Sequence, residues 1–148
     1  MKLWSLIAMG MAIGAILPFQ AGANTRFARA AESPIWGAVL NFSVGLCTLL
    51  LAVLIMRLPL PHGSKLSALP WWAWIGGLCG ACFVAGTTYL MPRIGAVMVL
   101  VCAVTGQMVA ALVVDHFGLL HLEPRPVSLM KIGGVLLLAG GVVMARMG

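Results

Sequence analysis

Long apolar runs separated by short polar connections dominate this sequence. A helix needs about 20 apolar residues to cross the hydrocarbon core of a bilayer. The runs are continuously apolar instead of alternating with polar positions, which favours helices over the strands of a membrane barrel. The pattern therefore predicts an all-α integral membrane protein with transmembrane helices at about Leu3–Ala23, Ile35–Met56, Trp71–Met91, Ile94–Val114 and Leu129–Ala145.

Composition supports a membrane protein without a soluble domain. Of the 148 residues, 62% are hydrophobic and 8% are charged, whereas globular domains carry about 25% charged residues. The connections are short, so we expect a single membrane domain over residues 1–148 and no enzyme, cofactor or metal site. The net charge of +6 comes from Lys and Arg at helix ends, where they act as topology signals and headgroup anchors instead of nucleic-acid ligands.

The segment "PFQAGANTR", Pro18–Arg26, has two interpretations. Ala21-Gly22-Ala23 has the small-x-small pattern of a signal-peptide cleavage site. The apolar run before it is longer than the 7–15 residues typical of a signal peptide. We therefore expect a retained helix that Pro18 kinks, with Ala21-Gly22-Ala23 as a close-packing surface.

The motif C-x-x-C occurs once, at Cys79 and Cys82 within an apolar run. It lacks a second ligand pair or a βαβ context, so it is interpreted as small residues packing in a membrane helix.

Positive charges are almost evenly divided between the two sides of the predicted membrane domain. Five lie on the side of the N-terminus and four on the other, out of the 9 in the chain. Such a weak bias predicts either a slight preference for a cytoplasmic N-terminus or insertion in both orientations. The two sets are Lys2, Arg57, Lys65, Arg125 and Lys131 against Arg26, Arg29, Arg93 and Arg146.

Several segments resemble the YdcZ-like family of the drug/metabolite transporter superfamily: "LPFQAGANTRFARA", "PWWAWIGGLCGACFV", "MPRIGAVMVLVCAVTGQMVAALVVDHFGLL" and "KIGGVLLLAGGVVMAR". The resemblance covers nearly the whole chain. It implies a half-size, multi-pass transporter of the bacterial inner membrane that pairs with a second copy or a similar half. The substrate site would lie near the midplane between the halves.

The chain differs from the related small multidrug resistance proteins, which use a glutamate in the first helix. No acidic residue lies in the middle of any predicted helix. A cation would require a buried carboxylate, so a neutral or anionic substrate fits this sequence better. The expected function is transport of a small organic solute by alternating access as an antiparallel homodimer. The alternative is a lipid-linked flippase or an accessory membrane subunit.

Uncharged polar side chains inside the predicted helices are the candidate substrate pathway, because a polar group in a membrane requires a partner or a wet cavity. The same amides could instead hold helices together through hydrogen bonds. The candidates are Gln20, Asn24, Asn41, Tyr89, Thr105 and Gln107.

Asp115 and His116 are the candidate proton- or ion-coupling pair, because His titrates near neutral pH and Asp115 can pair with Lys131. The alternative is a water-exposed anchor at a helix end. Ser128 is predicted to cap the last helix, whose glycine face is predicted to pack in the dimer. That face consists of Gly133, Gly134, Gly140 and Gly141.

Overall fold

The computed structural model describes residues 3–61, 63, 67–119 and 122–147. Five helices in this part of the chain are long and apolar enough to cross a membrane, as the hydropathy pattern predicts. A short 3₁₀ turn, Trp71–Trp74, precedes the third of them. The helices are α1 (Leu3–Ala30), α2 (Pro34–Ile55), α3 (Ile75–Ile94), α4 (Ala96–Phe117) and α5 (Leu129–Met147).

Helix α1 is longer than the predicted span and ends at Ala30 instead of Ala23. It continues through Pro18, and its last two turns contain Arg26 and Arg29, which lie beyond the predicted end of this helix. Asn24 and Ala28 are buried on this extension. Burial against neighbouring helices stabilises these two turns even though their sequence is too polar to lie in lipid.

Local sequence sets the helix ends. Ser33 is the N-cap of α2 and Pro34 is its first residue, a position where the missing proline N–H costs nothing. Gly118 ends α4 in the left-handed conformation, with φ of +60°, which glycine adopts without strain. The Ser128 hydroxyl accepts a hydrogen bond from the Lys131 backbone N–H at 3.3 Å, which confirms the predicted cap of α5.

One residue, Gly95, separates α3 from α4. Its φ of +80° and ψ of +162° lie in a region that essentially only glycine occupies.

The chain divides into two compact units, Met1–Arg93 and Ile94–Gly148. In the first, α1 packs against α2; in the second, α4 packs against α5. The expectation of one membrane domain stays a prediction.

Helices α1 and α2 approach each other closely at Gly37 of α2. A Cβ atom at Gly37 would lie 2.9 Å from the Asn24 carbonyl oxygen and 3.0 Å from the Ala28 Cβ. Only a glycine allows the two helix backbones to come so near, which is the small-residue packing typical of membrane helices. Most large apolar side chains of the described residues point outward, as expected where lipid is the solvent.

Candidate functional site

A groove between α1 and α2 contains three of the predicted pathway side chains. Gln20 and Asn24 come from α1 and Asn41 comes from α2, and the groove has a volume of about 620 Å³. Four residues separate Gln20 from Asn24, so one face of α1 presents both. The remaining walls are apolar or glycine: Ala23, Phe27, Phe42, Val44, Gly45, Leu46 and Leu49.

A hydrogen bond between two amides crosses this groove. The Gln20 Nε2 atom donates to the Asn41 Oδ1 atom at 3.1 Å. Gln20 is exposed and Asn41 is half-buried, so the pair lies at the open side of the groove. Their remaining donors and acceptors are available to a solute, because an amide offers two donors and two acceptor lone pairs.

Asn24 is the deepest amide of the groove, with only 3% of its surface exposed. Unlike Gln20 and Asn41, it takes part in no side-chain hydrogen bond with another described residue. Of the three amides it is therefore the one whose full hydrogen-bonding capacity is free. Asn24 is therefore the leading candidate in the groove for a hydrogen bond to a solute.

No charged side chain lines the groove. Apolar walls with a few converging polar groups are the usual composition of a small-molecule site. A lining of this kind suits an uncharged group better than an ion, because an ion would lose its hydration without gaining a counter-charge.

Tyr89 lies outside this groove. The Arg93 guanidinium stacks over its ring, 3.5 Å from the centroid, and donates a hydrogen bond to the Tyr89 carbonyl. Both residues line a separate, smaller pocket at the end of α3. The pathway role expected for Tyr89 stays a prediction.

Thr105 and Gln107 belong to α4, in the second unit. The Thr105 hydroxyl donates to the Val101 carbonyl at 2.7 Å, a bond within its own helix. Gln107 is exposed and its amide bonds to no other described residue. Their participation in a pathway stays a prediction.

Asp115 and Lys131 join α4 to α5 near one end of the second unit. The Lys131 Nζ atom lies 3.6 Å from the Asp115 Oδ2 atom, with side chains 38% and 41% exposed, which confirms the predicted pairing. The Asp115 carbonyl accepts a hydrogen bond from the Arg125 N–H at 2.7 Å. His116 packs edge-on against the Phe117 ring. A coupling role for Asp115 and His116 stays a prediction.

The predicted glycine face of α5 is largely uncovered within the chain. A Cβ atom at Gly133, Gly134 or Gly140 would meet nothing within 4 Å, whereas one at Gly141 would lie 3.9 Å from the Val101 Cγ1 atom. The face therefore has room for a further helix.

One buried polar residue is not identified as a candidate by any sequence pattern. Thr88 of α3 is 1% exposed and its hydroxyl has no hydrogen-bond partner. Nothing in the local pattern distinguishes it from Thr87, whose hydroxyl bonds to the Phe83 carbonyl at 2.9 Å. Among the described residues, no group of three or more His, Cys, Asp or Glu side chains could hold a metal ion.

Comparison with known proteins adds one match. Residues 5–144 match the model of a protein family described as "Putative inner membrane exporter, YdcZ". No curated protein and no solved structure matches the chain.

Proposed function

We propose that this chain, which belongs to the family described as "Putative inner membrane exporter, YdcZ", exports a small uncharged organic solute bound in the groove between α1 and α2. The supporting observation is the convergence of Gln20, Asn24 and Asn41 in an otherwise apolar groove without charged groups. A family described as an exporter requires a solute site, and this groove has the chemistry of one.

The amides have different tasks in this proposal. Asn24 binds the polar part of the solute, since it is the most buried of the three amide residues of the groove. Phe27 and Phe42 of the groove wall contact the apolar part. The Gln20–Asn41 hydrogen bond closes the groove when it is empty, and a solute amide or hydroxyl group replaces it at little net cost because one hydrogen bond is exchanged for another.

We further propose that two copies of the chain assemble as an antiparallel homodimer that works by alternating access. Three observations support a partner. Gln107 presents an exposed amide from a membrane-spanning helix, which lipid would not satisfy. Gly133, Gly134 and Gly140 are uncovered. The positive charges have nearly no bias between the two sides, so insertion in both orientations is favoured over one fixed orientation.

Asp115 and His116 are the proposed coupling groups. Asp115 is partly exposed, lies near the end of α4 and is paired with Lys131. Proton or ion binding at Asp115 would weaken the contact between α4 and α5, which gives a route from coupling to helix movement.

Thiol labelling tests whether the groove is an aqueous pathway. In a background with Cys47, Cys79, Cys82 and Cys102 replaced by Ser, Asn41→Cys should react with a membrane-impermeant thiol reagent added to either side of the membrane. Reaction from both sides is expected, because alternating access opens the site to each side in turn and the two copies of an antiparallel dimer present it in opposite orientations.

The matched control is Leu50→Cys, on the same helix, exposed and outside the groove lining. It should stay unreactive, since it faces lipid. An Asn41→Cys variant that no impermeant reagent modifies from either side would contradict the proposed pathway.

A further inference from the structure

A second pocket of about 120 Å³ lies where α1 ends, α2 begins and α3 ends. Its walls include Arg29, Glu32, Ser33, Thr88 and Arg93. None of these residues belongs to the groove of the proposed function. Unlike the groove, this pocket has charged side chains among its lining residues.

The charges of the pocket do not cancel. Arg29 and Arg93 bring two positive charges and Glu32 brings one negative charge, leaving +1. Glu32 forms no ion pair with either arginine; within the described ranges, the ion pair that forms is Lys131–Asp115. Stacking on Tyr89 and a bond to its carbonyl hold the Arg93 guanidinium in place. An arginine has five N–H donors, and four of those of Arg93 are not used in the hydrogen bond to the Tyr89 carbonyl.

The start of α2 adds further positive potential. Ser33 is the N-cap, but its side chain makes no capping hydrogen bond, so the hydroxyl is not used to satisfy the first turn. The N-terminal N–H groups of a helix have no partner within the helix and favour an anion. The Ser33 hydroxyl and these N–H groups are donors beside the two arginines.

Thr88 is an independent indication of a missing ligand. Thr88 is 1% exposed and lines the pocket, and its hydroxyl has no hydrogen-bond partner among the described residues. The other four threonines of the chain each donate to the carbonyl four residues earlier: Thr25 to Ala21, Thr48 to Val44, Thr87 to Phe83 and Thr105 to Val101. Thr88 is thus a buried donor left without the acceptor that its chemistry requires.

We propose that this pocket binds a phosphate group, through the Arg29 and Arg93 guanidinium groups and the Ser33 and Thr88 hydroxyls. Arginine is the residue best suited to phosphate because its planar fork donates two parallel hydrogen bonds. The volume of about 120 Å³ is enough for one phosphate group, and the rest of the molecule that carries it would extend outside the pocket. The phosphate belongs either to a lipid headgroup or to a soluble molecule.

The test is a thermal-shift titration of the purified, delipidated protein in an uncharged detergent at constant ionic strength. One arm uses inorganic phosphate and the other uses short-chain phosphatidylglycerol. Saturable stabilisation by at least one probe is expected. Saturation by phosphatidylglycerol alone identifies a lipid headgroup, and saturation by inorganic phosphate identifies a soluble ligand.

Three variants make the test specific. Arg29→Gln should weaken the apparent Kd by about 10- to 100-fold, since it removes charged hydrogen bonds. Arg26→Gln, on the same helix but outside the pocket lining, should leave the Kd within about twofold of wild type. Thr88→Val should weaken binding by about 3- to 10-fold without lowering the Tm of the ligand-free protein, because it breaks no existing hydrogen bond.

Two results would overturn the proposal. One is the absence of saturable stabilisation by both probes. The other is an equal increase of the apparent Kd in Arg29→Gln and Arg26→Gln, which would mean that the anion binds through the general positive charge of the surface and not through this pocket. A wild-type Kd in Thr88→Val would contradict the proposed hydrogen bond between the Thr88 hydroxyl and the phosphate.

Discussion

The Gln20 Nε2 atom donates a hydrogen bond of 3.1 Å to the Asn41 Oδ1 atom, joining α1 to α2 across the groove. A side-chain hydrogen bond between membrane helices contributes on average about 0.6 kcal/mol. This bond therefore adds little to the free energy of unfolding, and its importance is expected to be in closing and opening the groove.

A double-mutant cycle tests the strength of that bond. Gln20→Ala and Asn41→Ala should each lower the free energy of unfolding by about 1 kcal/mol or less. The coupling energy between them should be about 0.6 kcal/mol and should not exceed about 1.7 kcal/mol. The measurement is unfolding in mixed micelles, followed by circular dichroism. A coupling energy of zero would show that the two amides do not bond to each other in the folded protein.

Gly37→Ala should destabilise the first unit. The new methyl group would lie 2.9 Å from the Asn24 carbonyl oxygen and 3.0 Å from the Ala28 Cβ, both fixed parts of α1. Overpacking of this kind costs about 1–3 kcal/mol, which the same unfolding measurement detects.

Gly45→Ala is the matched control on the same helix, because nothing lies within 4 Å of its built Cβ. The control should be neutral or slightly stabilising, since alanine favours a helix more than glycine does. Equal stabilities of the two variants would contradict the close approach of α1 and α2 at Gly37.

The Asp115–Lys131 ion pair is expected to contribute less than about 1 kcal/mol to stability, because both side chains are more than a third exposed and solvent screens them. Asp115→Lys should place two like charges together and lower the Tm. The charge swap Asp115→Lys with Lys131→Asp should recover most of the loss. A swap that is as unstable as Asp115→Lys alone would mean that attraction between these two residues does not contribute.

Reporter fusions at the C-terminus test the proposed dual orientation. With five positive charges against four, we expect both a cytoplasmic and a periplasmic reporter to be active. Adding two charges to the connection after α2, by Leu58→Lys and Leu60→Lys, should shift the population to one orientation, because a lysine-rich short loop stays cytoplasmic. A single orientation of the wild-type chain would exclude an antiparallel homodimer.

The sequence predicts the five membrane helices well, because a long apolar run is itself the requirement for crossing a bilayer. It places the end of α1 too early, at Ala23 instead of Ala30. Hydropathy reports which residues can lie in lipid, whereas the helix continues wherever its backbone and packing allow. The polar residues after Ala23 lower the local hydropathy, which predicts the end of the membrane span there. The helix nevertheless continues, and Asn24 and Ala28 are buried on it.

In the candidate site too, local sequence predicts some features, and others depend on how the helices pack. The shared face of Gln20 and Asn24 follows from their spacing of four residues. The contact of Gln20 with Asn41 depends on how α1 and α2 pack, which no local pattern contains. Thr88 is distinguished from Thr87 only by burial and a missing partner, and both are properties of the packed structure.

The most direct measurement of the central claim compares solute export by wild type, Asn24→Leu and Thr48→Val. The concentrations of metabolites inside and outside expressing cells are measured against cells that carry an empty vector. Leucine has nearly the shape of asparagine but no hydrogen-bonding groups. Since the Asn24 side chain bonds to no other described residue, its replacement should leave the Tm and expression near wild type.

Thr48 is the matched control: it lies on α2, outside the groove lining, and bonds only to the Val44 carbonyl of its own helix. The account predicts at least one uncharged solute that wild type and Thr48→Val export above the empty vector and that Asn24→Leu does not. Export of that solute by Asn24→Leu at the wild-type rate would contradict the groove between α1 and α2 as the substrate site.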